Sequence, residues 1–135
     1  MTPSDRHTHA ALATLIVLQT IMLSALYAGI KPHPPIATPL FGIAPFLGAS
    51  LAIALWAVIV QPLASTAGRF LSVLAALMAL VSFGPQKYLD PQFALIWPAV
   101  LLGQVSALVI FAQVFGVVRA RSETSTANPA RAGAA

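Results

Sequence analysis

Lys87, Asp90 and His33 are the side chains of this sequence whose types and spacing could do chemistry, since all three interrupt long apolar stretches. A lysine three positions before an aspartate could act as a general acid–base pair, and a histidine could carry a proton near neutral pH. The sequence has no glycine-rich phosphate loop, no Ser/His/acid set and no paired carboxylates to complete such a site. A membrane enzyme with this candidate outer-loop site is therefore the weaker hypothesis, and the chain is expected not to be an enzyme.

The same residues have a simpler interpretation as parts of connections between helices. Gly84-Pro85 predicts the end of one helix, because glycine is favoured just past a helix and proline cannot continue it. Asp90 followed by Pro91 predicts the start of the next helix, with the carboxylate accepting from first-turn amides. Lys87 suits the headgroup zone of a membrane. His33 lies between prolines, which favours a stiff connector as its role.

Uncharged polar side chains inside the apolar stretches point to contacts between helices. Gln19, Gln104 and Gln113 would be costly in lipid without partners, so they are expected to face other helices or a solute path. Gln104 and Gln113 are nine positions apart and should lie on nearly opposite faces of one helix. Gly48 and Gly103 each belong to a series of small residues four apart, a spacing that permits close helix packing.

The composition indicates a membrane protein. Hydrophobic residues make up 59% of the 135 residues and charged residues only 7%, whereas a soluble domain carries about 25% charged residues. Lipid is therefore the predicted surrounding, and the lipid bilayer is the first predicted partner. The seven lysines and arginines form no run, which argues against a nucleic-acid partner. Because there is no cysteine, disulfides and thiolate ligands are excluded. No cofactor and no metal are predicted.

Four apolar stretches organise the chain. Each approaches the roughly 20 residues that a helix needs to cross a bilayer, and an isolated strand could not satisfy its backbone there. The predicted fold is all-α, an integral membrane protein built as a four-transmembrane-helix bundle with short loops, over about 10–30, 40–61, 66–83 and 91–118. Residues 1–9 are expected to form a polar tail, and residues 119–135 a disordered tail.

The lysines and arginines predict the orientation of these helices. Five of the seven fall in the two tails and in the loop between the second and third stretches: Arg6, Arg69, Arg119, Arg121 and Arg131. Lys31 and Lys87 fall in the other two loops. This bias predicts cytoplasmic termini, in what is expected to be the bacterial plasma (inner) membrane. Arg69 is expected to extend its guanidinium toward the lipid headgroups.

Two of the predicted helices begin with the same signals. Thr38-Pro39 and Asp90-Pro91 each place a capping side chain before a proline. Pro45 and Pro98 lie beyond the first turn and are expected to bend their helices. A duplicated helical hairpin would explain the similarity, and so would two helices that start on the same side of a membrane. Both explanations stay open.

Two hypotheses for function remain beside the enzyme. The cores of the four stretches contain no Asp, Glu, Lys, Arg or His, which argues against a proton-coupled transporter, a pump or a charged ion filter. The leading hypothesis is a small polytopic protein of structural or accessory type, which acts through helix–helix contacts with an unlike membrane-protein partner or with itself. The alternative is an oligomeric carrier or channel for a neutral or apolar solute.

Overall fold

The computed structural model describes residues 2–30 and 40–127, and every regular element among them is helical. Four α-helices are long and apolar enough to cross a membrane, and a short 3-10 helix, Pro85–Leu89, lies between the third and the fourth. The α-helices are α1 Pro3–Ala28, α2 Leu40–Ile59, α3 Thr66–Phe83 and α4 Phe93–Ala127. The all-α prediction and the four apolar helices are thus confirmed.

The four helices pack as a ring, each against the next, with α1 closing the ring against α4. The two ends of the bundle differ in the segments they contain. The "joint end" holds the end of α1, the 3-10 helix and the start of α4, and the "tail end" holds the start of α1 and the end of α4. Fully buried Leu12, Leu15 and Ile110 and a set of buried alanines form the core. Because alanine is small, the helices approach one another closely there.

Helix α1 begins seven residues earlier than expected, so residues 3–9 belong to a helix and not to a polar tail. The cause is a reciprocal capping box. The Thr2 hydroxyl accepts from the Asp5 N–H at 3.1 Å, and the Asp5 carboxylate accepts from the Thr2 N–H at 2.9 Å. Thr2-Pro3 has the same pattern as Asp90-Pro91, a capping side chain followed by a proline.

Helix α4 continues past Val118 to Ala127, so residues 119–127 are helical where disorder was expected. Extending an existing helix needs no new nucleus, which lowers the requirement for a buried core. Arg119 and Glu123 form an exposed ion pair at 2.9 Å, four residues apart, a spacing that supports a helix by about 0.2–0.5 kcal/mol. The rest of the expected tail, residues 128–135, lies outside the described residues.

Arg69 makes two hydrogen bonds in the turn before α3. Its guanidinium donates to the Leu63 carbonyl at 3.1 Å and to the Thr66 hydroxyl at 2.9 Å. Ser65 caps α3 by accepting from the Gly68 N–H at 2.8 Å. Arg69 therefore ties the turn to the first residue of α3, and its expected contact with lipid headgroups stays a prediction.

Both interior prolines lie where they were expected, Pro45 inside α2 and Pro98 inside α4. The capping side chain predicted at Thr38 and the connector around His33 lie outside the described residues. For α4, Asp90 accepts from the Gln92 N–H at 2.9 Å through its carboxylate. Asp90 thus accepts from a backbone amide that follows it, as predicted, but the regular helix begins two residues later than predicted, at Phe93, so Gln92 lies before its first turn.

The two glycines singled out in the sequence have different surroundings. Gly103 is buried against α3, and a Cβ added there would lie 2.7 Å from the Cβ of Phe83. Gly48 is exposed on α2, and a Cβ added there would have nothing within 4 Å. Gly103 is therefore the glycine that permits close packing within this bundle.

We expect Gly103→Ala to lower the free energy of unfolding by about 1–3 kcal/mol, because the new methyl group must displace Phe83. Gly48→Ala is the matched control, and it should be neutral or stabilising by up to about 1 kcal/mol. Denaturant titration in detergent, followed by circular dichroism, measures both. Equal unfolding midpoints for the two variants would contradict the contact.

Candidate functional site

A cavity of about 350 Å³ opens at the joint end, between α1, the end of α3, the 3-10 helix and the start of α4. Most of its wall is apolar, with Leu18 and Met22 from α1 facing Ile96 and Val100 from α4. Its polar wall comes from the end of α3 and from the connection between α3 and α4: Ser82, Lys87, Asp90 and Gln92. Two of the three residues predicted for the outer-loop site, Lys87 and Asp90, thus line one cavity.

The polar wall is organised around an ion pair. Lys87 Nζ lies 3.1 Å from Asp90 Oδ2, and the two side chains are only 17% and 12% exposed. The other carboxylate oxygen, Oδ1, accepts from the backbone N–H of Gln92. The Asp90 N–H donates back to the Lys87 carbonyl at 3.1 Å, which closes the 3-10 helix. The fold of the connection therefore places both charges at the cavity.

These contacts keep Asp90 ionised. The backbone N–H of Gln92, and after it the Lys87 ammonium, hold the pKa of Asp90 below its ordinary value, against the opposing effect of burial. A carboxylate with a lowered pKa carries no proton to donate at neutral pH and accepts one poorly. The pair is consequently better suited to binding a polar group than to acid–base catalysis.

Several hydrogen-bond donors and acceptors on the polar wall have no partner elsewhere in the described residues. Asp90 takes one of the three donors of the Lys87 ammonium. Among residues 2–30 and 40–127, the Ser82 hydroxyl and the Gln92 side-chain amide have no hydrogen-bond partner, although both residues line the cavity. A ligand that enters the cavity therefore meets free donors and one free amide acceptor at its polar end.

Gln104 holds this connection in place from α4. Its amide donates to the Phe83 carbonyl at 3.1 Å, and its oxygen accepts from the Tyr88 hydroxyl at 2.7 Å. The Phe83 carbonyl ends α3, where the helix offers it no partner. The Tyr88 ring packs edge-on against Phe93, with centroids 5.2 Å apart. One glutamine thus joins α3, the 3-10 helix and α4 behind the cavity.

The other predicted residues lie apart from the cavity wall. Gln19 is 1% exposed, and neither atom of its amide has a hydrogen-bond partner, which is also true of the buried Ser50 hydroxyl. Gln113 is partly buried on α4 and does not line the cavity. His33 lies outside the described residues. Sequence reasoning missed Ser82 and Gln92, because nothing in the sequence shows which polar groups border an internal space.

Comparisons of this chain with protein-family models, with curated proteins and with solved structures find no match. Within the described part of the chain, no group of three or more His, Cys, Asp or Glu side chains is placed to hold a metal ion. His9, near the start of α1, has its Nδ1 atom 2.7 Å from the Asp5 carbonyl oxygen. The cavity and its ion pair are therefore the candidate functional site.

Replacing Gln104 with Met should lower the free energy of unfolding by about 1–2 kcal/mol, because the Phe83 carbonyl and the Tyr88 hydroxyl both lose a partner. Gln113→Met serves as the control and should change it little. On the Gln104→Met background, Tyr88→Phe should cost nothing further, since the shared hydrogen bond is already gone. Additive losses in this double-mutant cycle, measured by chemical unfolding in detergent, would show that the three groups do not act together.

Proposed function

We propose that the four helices cross a lipid bilayer and that the chain binds a small apolar or amphiphilic molecule in the cavity at the joint end. This proposal keeps the neutral or apolar solute of the carrier-or-channel hypothesis and replaces its transport by binding at one site. The observation that carries it is a cavity of about 350 Å³, within the range of roughly 300–1,000 Å³ that small-molecule sites occupy. An apolar wall with a few converging polar groups is also the usual make-up of such sites.

The depth of the cavity supports a binding site in preference to a channel. Its deepest lining residues include Leu18, ten residues before the end of α1, and Val100, seven residues after the start of α4. At about 1.5 Å per residue the cavity extends roughly 10–15 Å, which is about half of a hydrocarbon core of roughly 30 Å. Leu15 and Ile110, both fully buried, occupy the core toward the tail end.

The proposed setting is the bacterial plasma membrane, with the tail end in the cytoplasm and the joint end outside. Arg6, Arg69, Arg119 and Arg121 belong to the tail end, where Arg121 donates to the Ala64 carbonyl at 3.4 Å. Lys87 is the positive residue of the joint end among those described, and Asp90 neutralises it. This distribution follows the tendency of Lys and Arg to remain on the cytoplasmic side.

Filling the cavity tests this function. We expect Ala99→Phe, on the cavity wall, to reduce saturable photolabelling by a diazirine-bearing alkyl alcohol at least fivefold in lipid nanodiscs. Ala94→Phe is the matched control, since Ala94 is exposed on the same helix and does not line the cavity. Labelled peptides identified by mass spectrometry should come from the segments around Leu18 and Val100. Labelling that is not saturable, or is equal in both variants, would overturn the proposal.

A second candidate function, the accessory role, is favoured by the outward face of α2. Gly48 is exposed there, and a Cβ added at it would have nothing within 4 Å. Ala52 continues this small-residue face one turn beyond Gly48. An interior glycine weakens a helix by about 1 kcal/mol relative to alanine, with no packing inside this bundle to offset it. We propose that a helix of an unlike membrane protein packs on this face.

Crosslinking tests the second function cleanly, because the chain has no cysteine of its own. In native membranes, Gly48→Cys carrying a thiol-attached photocrosslinker should form one adduct of defined mass. Val17→Cys, at a 56% exposed position of α1, is the control and should form none. An adduct of twice 14.1 kDa would mean that a second copy packs there and would overturn the unlike partner. Equal, diffuse labelling at both positions would mean that α2 faces lipid.

A further inference from the structure

The two walls of the cavity divide it into an apolar part and a polar part. Leu18 and Val100 lie deepest, while Lys87 and Asp90 belong to the connection at the joint end. In the proposed membrane setting, the polar part lies at the level of the headgroups and the apolar part extends about one leaflet deep. A molecule that matches both parts has a hydrocarbon tail and a polar head, and it enters in the orientation of a bilayer lipid.

The size of the cavity limits the tail to one chain. About 350 Å³ is available, near the lower end of the roughly 300–1,000 Å³ seen for small-molecule sites. A hydrocarbon tail that moves from lipid into the cavity passes from one apolar environment into another. The transfer of the tail therefore contributes little to the choice between ligands. Selectivity must therefore come from the head.

The charges on the polar wall select a head without net charge. Lys87 and Asp90 neutralise each other at 3.1 Å, and both are largely buried. An anionic head would add an unbalanced charge beside Asp90, and a cationic head would do so beside Lys87; charges poorly exposed to water are costly unless paired. Two donors on Lys87, the Ser82 hydroxyl and the Gln92 amide remain for a neutral head.

We propose that the ligand of the cavity is a single-chain amphiphile with an uncharged head that carries a carbonyl and hydroxyl groups, such as a monoacylglycerol. This inference rests on the proposed function and adds to it the chemical class of the ligand. The ester carbonyl accepts from the Lys87 ammonium, and the head hydroxyls bond to Gln92 and Ser82. The Lys87–Asp90 pair acts as the selectivity element, because it supplies donors without supplying a net charge.

Reversing the selectivity by one substitution is the sharpest test. Asp90→Asn keeps a side-chain oxygen for the Gln92 N–H, since Asn caps helices as well as Asp does, but it leaves the Lys87 charge unbalanced. The probes are monodecanoylglycerol and decanoate, which have equal acyl chains, in competition with the photoreactive alkyl alcohol. Nanodiscs of zwitterionic phospholipid at pH 8 keep the carboxylate ionised and the bilayer without net charge.

For the unmodified protein, we expect monodecanoylglycerol to compete at a concentration at least tenfold lower than decanoate. In Asp90→Asn the ratio of the two competing concentrations should shift at least tenfold in favour of decanoate. In Lys87→Met the same ratio should shift in favour of monodecanoylglycerol. Because both competitors are measured on the same sample, a partly unfolded variant does not change the ratio. Equal competition by the two probes, or a ratio that Asp90→Asn leaves unchanged, would overturn the inference while saturable labelling upholds the binding function. Absence of saturable labelling in the unmodified protein would overturn both.

Discussion

The contact between Phe83 and Gly103 is the constraint on which the joint end of this bundle depends. Without a side chain at Gly103, α4 approaches the last residue of α3 closely enough for Gln104 to reach the Phe83 carbonyl. That hydrogen bond satisfies a helix end in an apolar surrounding, where an unpaired carbonyl would be costly. The same glutamine accepts from Tyr88 and so fixes the 3-10 helix that carries Lys87. Two adjacent residues of α4 thus determine where the charged wall of the cavity lies.

Local hydrogen bonds between side chains and the backbone mark the starts of α1 and α3 and the residues just before α4. Thr2 and Ser65 each accept from a first-turn N–H, of α1 and α3 respectively, and Asp5 accepts from the Thr2 N–H. Asp90 accepts from the N–H of Gln92, just before α4. The carboxylate of Asp90 makes two contacts at once, since one oxygen accepts from the Gln92 N–H just before α4 and the other pairs with Lys87. A charge pair held by backbone geometry keeps its position when the cavity is empty, which suits a preformed binding site.

The candidate site was only partly predictable. The residues from Gly84 to Asp90 predicted a connection between two helices, because Gly84-Pro85 marks the end of one helix and Asp90 the approach to the next. A polar connection is expected at the end of apolar helices. The pairing of Gln104 with Phe83 and Tyr88, twenty-one and sixteen residues away respectively, could not be read from the sequence. The early start of α1 was predictable from Thr2-Pro3. The length of α4 was not, because its polar residues 119–127 are helical only as an extension of an existing helix, which their own composition does not indicate.

The sequence by itself determined the helical class, the number of apolar helices and their approximate bounds, because hydrophobicity, prolines and capping side chains act within one or two turns. Tertiary structure decided which small residues face inward and which polar groups share a cavity. Gly48 and Gly103 look alike in sequence, yet one is exposed and the other packs on Phe83. The physical reason is that the rotation of each helix about its axis depends on packing against all its neighbours, and this quantity belongs to no single segment.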